Sequence, residues 1–433
     1  MKSTRREFLE NTTMAFGALA LTPATLWAQE SETKSVGEEI GQPLSGWTEG
    51  NLDLHFIYTG AGENMFYIFP DGTTMILDAA DRPSDQKDQI PFLPNESRLP
   101  SEWIARYIER VGPSSKSIDY MMLSHFHSDH AGCAKLGAGT TQGRGDDYVL
   151  SGLANLGELF SIGKIFDRKY PDYTFSELEK KDDGFENFHK YTTWKLKNGE
   201  TSMEKFEVGA LDQLALVKNR EKYPDFHIRN LCANGVVYNR KDGGVIDFYA
   251  RYPKNKRSEN AMSIALLFSY GPFRFYTGGD VCGTIRDDAG NDVLLEGAVG
   301  QAAGPVDLCK TNHHSCINAM HPEFVRQVRP RVYVTNVWDY WHLQDNTQST
   351  MCDESLYPGE RLVCPTWVAP KRMEEYKEKP WQKYLKPAAG HVVVRVFDGG
   401  KRYKVYHLTA EDESMTVKAV FGPFEAVDKP FSV

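Results

Sequence analysis

A run of nine residues, 124–132, concentrates potential metal ligands directly after a predicted apolar strand. His125 and His127 stand two residues apart, so on an extended segment their side chains point the same way. Asp129 and His130 then fall where the chain should turn into a helix, which brings two more donors over the same point. Because zinc and similar ions prefer imidazole and carboxylate, this run predicts a metal site. A polar loop with hydrogen-bonded histidines is the less favoured alternative.

The apolar pattern around this run predicts a mixed α/β protein with many short strands. Residues 101–111 read as an amphipathic helix with Trp103 and Ile104 on its apolar face. The predicted strands are residues 54–58, 65–69, 74–77, 118–123, 264–268, 273–277, 306–310, 332–334, 391–396 and 403–406. In α/β architectures functional sites collect at the carboxyl ends of strands, so residues at those ends are the next candidates.

Four further candidate ligands follow the ends of later predicted strands. Asp280 comes after two glycines that let the backbone approach a metal closely, and its two oxygens can each take one ion. We therefore expect Asp280 to bridge two ions. His313 and His314 are adjacent and should face apart, so only one is expected to reach a given ion, and the sequence leaves open which. His342 follows the next strand and is the last candidate.

Asp78 ends the predicted strand 74–77 and is a candidate for a supporting role. A carboxylate at the end of an apolar strand is costly to bury without a partner. Histidines bound to a metal commonly donate their far nitrogen to such a group. We expect Asp78 to orient a ligand histidine, with a turn-capping aspartate as the alternative.

The pattern His-x-His-x-Asp-His resembles the signature of the metallo-β-lactamase superfamily. With Gly-Asp, His-His-Ser and a late histidine, the chain is similar to the hydrolase domain of the DNA-uptake competence channel, although Ser315-Cys316 stands in place of that branch's Gly-Ser. The resemblance implies an αββα sandwich over residues 51–425, with an inserted helical cap around residues 137–241. It also implies the orienting role of Asp78. Superfamily members often take one more ligand histidine from that interval, but His189 and His227 lack the motif context and are predicted to lie at the surface.

The predicted chemistry is hydrolysis by a metal-bound hydroxide. Two divalent ions, zinc in the first place and manganese as the alternative, would share a water and lower its pKa toward neutrality. Asp129 would hold the hydroxide or pass a proton to the leaving group. The chain has neither a Gly-x-Ser-x-Gly elbow nor a nucleotide-binding Gly-x-x-x-x-Gly-Lys loop, so a protein nucleophile is not needed.

Three functions are compatible with these residues. The branch resemblance favours phosphoester or phosphodiester bonds. A lactonase or β-lactamase-like amide hydrolase is the alternative, with an aromatic pocket lined by Trp338 and Trp341. A non-catalytic metal-binding module is the third. The formal charge of −9 over 433 residues gives no broad basic face, so we expect a small or short oligomeric substrate rather than nucleic acid.

The N-terminus predicts export. Residues 3–9 resemble a twin-arginine signal, and an apolar stretch over residues 14–27 follows, too short and too interrupted by Pro23 for a membrane span. We expect a signal at residues 1–28, a linker at residues 29–50, and a periplasmic or secreted protein without stable membrane insertion after cleavage. Seven cysteines are an odd number for an exported protein, so at least one should be unpaired or joined to another chain.

Overall fold

The computed structural model describes residues 39–81, 90–113, 116–134, 141–144, 148–174, 183–248, 250, 258–286, 292–386 and 389–427. The predicted export signal at residues 1–28 and the first part of the predicted linker lie outside the described residues. Residues 41–44 hydrogen-bond with residues 415–417, so this part of the predicted linker runs along the folded domain.

The strands are short, as the apolar pattern predicts. In chain order they are β1 (Leu52–Phe56), β2 (Met65–Ile68), β3 (Thr74–Leu77), β4 (Ser117–Met122), β5 (Ser161–Phe166), β6 (Ser202–Met203), β7 (Phe226–Ala233), β8 (Val236–Tyr238), β9 (Val245–Asp247), β10 (Ala265–Tyr270), β11 (Phe273–Thr277), β12 (Thr284–Arg286), β13 (Asp292–Leu294), β14 (Leu308–Lys310), β15 (Val332–Thr335), β16 (Leu362–Pro365), β17 (His391–Phe397), β18 (Arg402–Leu408) and β19 (Val417–Glu425).

Most of these strands form two large sheets. Within the described residues the first sheet has the order β19-β18-β17-β1-β2-β3-β4-β5-β6, and the second has the order β16-β15-β14-β11-β10-β7-β8-β9. β3, β4 and β5 are parallel neighbours, and so are β11, β14, β15 and β16. The carboxyl ends of parallel neighbours meet at one edge of a sheet, so the predicted site residues are gathered at two such edges.

The helices cover the outer faces of both sheets. They are α1 (Pro100–Val111), α2 (Ser128–Ala131), α3 (Gly152–Leu159), α4 (Asp183–Lys197), α5 (Leu295–Ala303), α6 (Pro322–Val328), α7 (Asp345–Met351) and α8 (Pro370–Glu375), with 3₁₀ turns at Arg220–Lys222, Asn260–Met262, Asn312–Ser315 and Pro380–Tyr384. Ile104 of α1 and Leu153 of α3 pack on the first sheet, whereas Val299 of α5 and Phe324 of α6 pack on the second. The layers are therefore helix, sheet, sheet and helix.

The main core lies between the two sheets, because each strand turns alternate residues inward. Phe56 of β1 meets Phe275 of β11 edge-on at 6.0 Å, and Tyr67 of β2 meets Phe268 of β10 at 5.5 Å. Each fully buried ring of this kind contributes about 1.5–3 kcal/mol of transfer free energy. The predicted αββα sandwich is confirmed by this arrangement.

The interval 137–241, predicted to hold an inserted cap, supplies strands to both sheets. β5 and β6 extend the first sheet, while β7 and β8 belong to the second. Of its helices, α3 and α4 pack on the outer face of the first sheet. α4 also contacts α2, and Phe185 of α4 lies 4.8 Å from Phe126. The helical part therefore lies beside the His-x-His-x-Asp-His run, and the predicted domain boundaries stay a prediction.

All seven cysteines lie in the described part of the chain, and all are free thiols. Among the described residues, no helix combines the length and apolar composition that a membrane crossing requires.

Candidate metal centre

Two parallel strands bring the first part of the site together at one edge of the first sheet. Leu77 of β3 lies opposite Met122 of β4, so Asp78 and Ser124 follow side by side. Asp78 Oδ1 accepts a hydrogen bond from Ser124 N, and Asp78 Oδ2 accepts one from Ser124 Oγ, both at 2.7 Å. Asp78 has a φ of 56°, a left-handed conformation that a short carboxylate tolerates. The Asp78 carboxylate thus holds the chain after β3 against the chain after β4.

Asp78 also contacts His130. Nδ1 of His130 donates a hydrogen bond to Asp78 Oδ2 at 2.8 Å. Because an ionised carboxylate only accepts, the proton is on Nδ1, which leaves the Nε2 lone pair pointing away from Asp78. The short helix α2 carries His130 back over the strand end, where its carbonyl accepts from Ala79 N at 2.9 Å. This is the contact by which a carboxylate orients a ligand histidine.

Asp280 enters the same space from β11 of the second sheet. It follows Gly278 and Gly279, the latter with a φ of +50°, and a Cβ on Gly279 would lie 2.9 Å from the Ser124 Cβ. Glycine is therefore required where the two sheets approach. Asp280 is 1% exposed, and its backbone N–H donates to Ser263 Oγ at 3.2 Å. Its carboxylate is free to face the histidines.

Four side-chain atoms surround one point, and we call them the first ligand group: Asp129 Oδ2, His130 Nε2, Asp280 Oδ2 and His314 Nε2. The separations are 3.6 Å for Asp129 and His130, 3.4 Å for His130 and Asp280, 3.3 Å for Asp129 and His314, and 3.6 Å for His314 and Asp280. Ligands on a tetrahedral zinc ion, with bonds of about 2.0–2.1 Å, lie roughly 3.3–3.4 Å apart. These four of the six separations are close to that spacing.

A second ligand group shares Asp280 and contains His125, His127 and His313. Nε2 of His125 lies 3.1 Å from Nδ1 of His127 and 3.9 Å from Asp280 Oδ2. Nε2 of His313 also lies 3.9 Å from Asp280 Oδ2. Asp280 Oδ2 therefore faces histidines of both groups, which is the placement expected of a bridging ligand.

Both members of the His313–His314 pair turn toward Asp280. Their φ angles are 44° and 48°, and Ser315 continues with 56°. In this left-handed turn the two rings lie on the same side, whereas a strand would send them apart. Each of the two histidines lies in one ligand group, and which of them binds a metal ion stays a prediction.

His342 meets the centre through another histidine. Its ring stacks on that of His314 at 4.7 Å with an interplanar angle of 7°, and its Nδ1 accepts a hydrogen bond from Trp338 N at 3.3 Å. Trp338 Nε1 in turn lies 3.4 Å from His314 Nε2. His342 therefore borders the first ligand group, and its role as a ligand stays a prediction.

His189 and His227 lie outside both groups. The His189 ring packs on Tyr173 at 4.3 Å and on Phe185 at 5.3 Å, and it is half-buried. His227 is half-buried on β7. Neither position supplies a ligand to the centre as described.

Glu63 belongs to the site although the sequence pattern did not indicate it. Together with His130, Asp280 and His314 it forms a buried set whose potential ligand atoms all lie within 4.8 Å of one another. Its backbone N–H donates to the Asp129 carbonyl at 2.8 Å. The sequence feature that could have indicated Glu63 is an acidic residue next to the glycines that follow β1. It does not stand at the spacing of a metal-ligand motif.

The charges explain which groups are protonated. Burial lowers the pKa of His130, but the carboxylates of Asp280, Asp129 and Asp78 outweigh it and raise that pKa well above its usual range. Burial acts the same way on His314, whose pKa Asp280 and Asp129 raise. For Asp280 burial raises the pKa, yet His314 and His130 hold it well below the usual range. The carboxylates thus favour positive charge at the point where a cation would fit.

Polar atoms without protein partners provide the test of that fit. His130 Nε2 and Asp280 Oδ1 are buried without a hydrogen-bond partner among the described residues. An unpaired buried polar atom costs about 1–3 kcal/mol, so several of them converging on one point need a ligand to satisfy them. A nitrogen and oxygen donor set of this kind suits zinc or a similar divalent ion.

Two cavities of similar size differ in their relation to the centre. One, of about 690 Å³, is lined by Asp339, Tyr340, Trp341 and Arg372 and begins on the loop that carries His342. Another, of about 700 Å³, is lined by the ion-paired side chains around Arg144 and contains none of the candidate ligands. Neither cavity is lined by a candidate ligand. The first lies on the loop that carries His342, and its lining includes Trp341 but not Trp338 of the predicted aromatic pocket.

Comparison with known proteins places the motif in a family. Residues 58–144 match the family model of the metallo-beta-lactamase superfamily, about a fifth of the 433 residues. The match includes Asp78 and the whole His-x-His-x-Asp-His run, while Asp280, His313 and His314 lie beyond it. No curated protein matches the chain. The two-sheet architecture is consistent with the sandwich of this superfamily, and the match and the buried ligand set together indicate a metal-dependent hydrolase.

Proposed function

We propose that the protein uses two divalent metal ions, zinc in the first place, to hydrolyse phosphoester or phosphodiester bonds. The observation that carries the proposal is the position of Asp280 Oδ2, which lies 3.4–3.9 Å from histidines of both ligand groups. A carboxylate so placed suits a pair of ions that act on both the attacking and leaving oxygens of a displacement.

The residues would divide between the two ions as the ligand groups do. Asp129, His130 and His314 would hold one ion, and His125, His127 and His313 the other, with Asp280 shared. His342 would complete the centre beside His314. When bound, such ions supply Lewis acidity and lower the pKa of a water molecule toward neutrality. Manganese is the alternative metal.

Asp129 would handle the proton. Its side chain is 21% exposed, so it can meet both the centre and the solvent. Burial raises the pKa of Asp129, but the neighbouring His130 and His314 hold it well below its usual range, so the carboxylate is ionised at neutral pH. It can accept a hydrogen bond from an attacking water and deliver a proton to the leaving group.

A lactonase or β-lactamase-like amide hydrolase is the second candidate, and the aromatic cavity favours it. Trp341 is 71% exposed and Tyr340 is 42% exposed on its wall. Tyr340 packs against Trp367 at 5.4 Å, so this wall is preformed. Exposed aromatic side chains that line a cavity on the loop of a candidate ligand suit a substrate with a flat or apolar group.

The remaining parts of the proposal rest on the sequence. The formal charge of −9 supports a small or short oligomeric substrate rather than nucleic acid. The twin-arginine pattern in residues 3–9 supports export to the periplasm or the medium. A metal-binding module without catalysis is the third candidate, against which the partly exposed Asp129 counts.

Elemental analysis of the full chain, purified without chelator, tests the centre, and a substrate panel tests the activity. We expect about two equivalents of zinc or manganese per chain and hydrolysis of bis(4-nitrophenyl) phosphate that a chelator abolishes. Faster turnover of an aliphatic lactone or a β-lactam would replace the phosphodiester assignment by the second candidate. Bound metal without turnover of any of the three would support the binding module, and absence of metal would overturn all three.

A further inference from the structure

A buried ion pair supports the centre from behind. Glu63 and Lys310 are both fully buried, and Lys310 Nζ lies 2.7 Å from Glu63 Oε2. Lys310 Nζ also donates a hydrogen bond to the Gly279 carbonyl at 2.8 Å, one residue before Asp280. Glu63 is anchored in turn by its backbone bond to the Asp129 carbonyl. The pair therefore connects the loops that carry two of the candidate ligands.

Glu63 also faces the far nitrogen of a candidate ligand. Its Oε2 lies 3.4 Å from Nδ1 of His314, and the Asn336 carbonyl lies 2.9 Å from the same nitrogen. The carbonyl only accepts, so Nδ1 of His314 donates its proton to Asn336, and the Glu63 carboxylate lies beside this N–H group.

An unpaired lysine here would oppose the binding of cations. Its ammonium would lie close to the ligands of a doubly charged ion and would repel that ion. Burying a charge away from water is also costly when it has no partner of opposite charge. Glu63 cancels that charge. Lys310 in turn keeps the Glu63 carboxylate behind the His314 ring, 3.4 Å from its Nδ1.

We propose that Glu63 and Lys310 are positioning residues of the metal centre: the pair fixes Nε2 of His314 and the Gly279–Asp280 turn toward the bound ion. This inference rests on the proposed function only in requiring that the centre binds metal. It assigns no substrate and holds for each hydrolase candidate.

The test compares single and double variants of the full chain. Glu63→Gln or Lys310→Met alone should lower stability, because each leaves a buried charge without its partner. The double variant Glu63→Gln/Lys310→Met removes both charges and should regain stability in the metal-free form. Its zinc affinity, measured by competition with a chromophoric chelator, should stay about 10–100-fold below that of the unaltered chain, the usual cost of losing a group that supports a ligand.

A second buried ion pair supplies the matched control. Arg395 donates to Asp53 at 2.7 Å, away from both ligand groups. The double variant Asp53→Asn/Arg395→Met should bind zinc as the unaltered chain does. If Glu63→Gln/Lys310→Met does not fold, Glu63→Asp keeps the charge but withdraws the carboxylate from His314, and it should also weaken zinc binding.

The outcomes separate this inference from the proposed function. Unaltered zinc affinity in Glu63→Gln/Lys310→Met, or in Glu63→Asp if that variant must replace it, would make the pair purely structural and overturn the inference. The proposed function would stand in that case. Absence of any bound divalent metal from the unaltered chain would overturn the proposed function and this inference together.

Discussion

Two buried groups of histidines and carboxylates use their polar atoms in different ways. In the cluster of Asp53, His55, Tyr107, His391 and Arg395, which we call the sheet cluster, most polar atoms are paired within the protein. Arg395 binds Asp53 through two nitrogens, Nδ1 of His55 lies 2.8 Å from the Tyr107 hydroxyl, and Nδ1 of His391 accepts from a backbone N–H. His55 Nε2 is the exception, 3.8 Å from Asp53 Oδ2. In the metal centre, His130 Nε2, Asp280 Oδ1 and both Glu63 carboxylate oxygens have no hydrogen-bond partner among the described residues.

The charges differ in the same sense. In the sheet cluster one arginine balances one aspartate, and burial lowers the pKa of both His55 and His391 to about 3, so these histidines are neutral. In the centre burial acts in the same direction, but an excess of carboxylates reverses it for His130. The reversal holds for the first ligand group, whereas burial keeps the pKa of His125 in the second group well below its usual range.

The largest expected effect comes from replacing one aspartate in each region, Asp280 in the metal centre and Asp53 in the sheet cluster. Asp280→Asn should lose bound metal and turnover almost completely, because an amide cannot supply the negative charge that two cations share. Asp53→Asn should keep its metal, yet lose about 3–5 kcal/mol of unfolding free energy, since Arg395 is left buried and unpaired. The metal content per folded chain measures the effect of Asp280→Asn, and urea unfolding measures that of Asp53→Asn. Retention of both ions by Asp280→Asn would refute its bridging role.

A smaller effect concerns how stability changes with pH. Burial lowers the pKa of His407, on β18, to about 4 from 6.5. Above pH 6.5 the ring is neutral whether folded or unfolded. As the pH falls from 6.5 to 4 the unfolded chain takes up a proton that the folded chain refuses, so stability decreases, by on the order of 3 kcal/mol from this residue.

His407→Leu should reduce that loss of stability, and urea unfolding of the metal-free chain at several pH values measures it. An unchanged slope between pH 6.5 and 4 in the variant would show that His407 is protonated or solvated in the folded protein. His55 and His391 would then still contribute in the same direction.

Next in size is the effect of replacing the side chain that contacts a histidine in each region, Asp78 at His130 and Tyr107 at His55. Asp78→Asn should weaken zinc binding about 10–100-fold, because His130 loses the carboxylate that fixes its proton on Nδ1. Tyr107→Phe removes the hydroxyl at His55 and should cost about 0.5–1.5 kcal/mol of unfolding free energy with no change in zinc affinity. Equal effects of both variants on zinc affinity would remove the distinction between the two regions.

The sequence predicts the parts of the site that depend on local pattern. The strands that carry Asp78, His125 and Asp280 have the expected apolar runs. Those of Asp78 and His125 are parallel neighbours, so their ends meet, whereas Asp280 follows a strand of the second sheet. The helix at residues 101–111 also lies within one residue of its predicted start. These features depend on hydrophobic periodicity and on turn residues, both of which act between residues close together in the sequence.

The parts that were missed depend on contacts between distant segments. Glu63 reaches the centre because the turn after β1 bonds to Asp129 and because Lys310 arrives from the second sheet. Neither contact leaves a local pattern. The left-handed turn at His313 and His314 is likewise imposed by packing, since non-glycine residues rarely adopt it. Its effect on the two rings could not be deduced from their adjacency.

The smallest expected effect is at His189, which separates the centre from its surroundings. The ring lies against Phe185, which in turn lies 4.8 Å from Phe126 within the motif run, so one aromatic ring separates His189 from that run. His189→Ala should leave two ions per chain and change zinc affinity by less than about threefold, while the lost ring contacts lower the unfolding free energy by about 0.5–1.5 kcal/mol. His189→Phe should restore that stability, because it preserves the stacking without a ligand nitrogen. Loss of one ion in both variants would make His189 a ligand. The metal centre would then depend on α4 for one of its ligands.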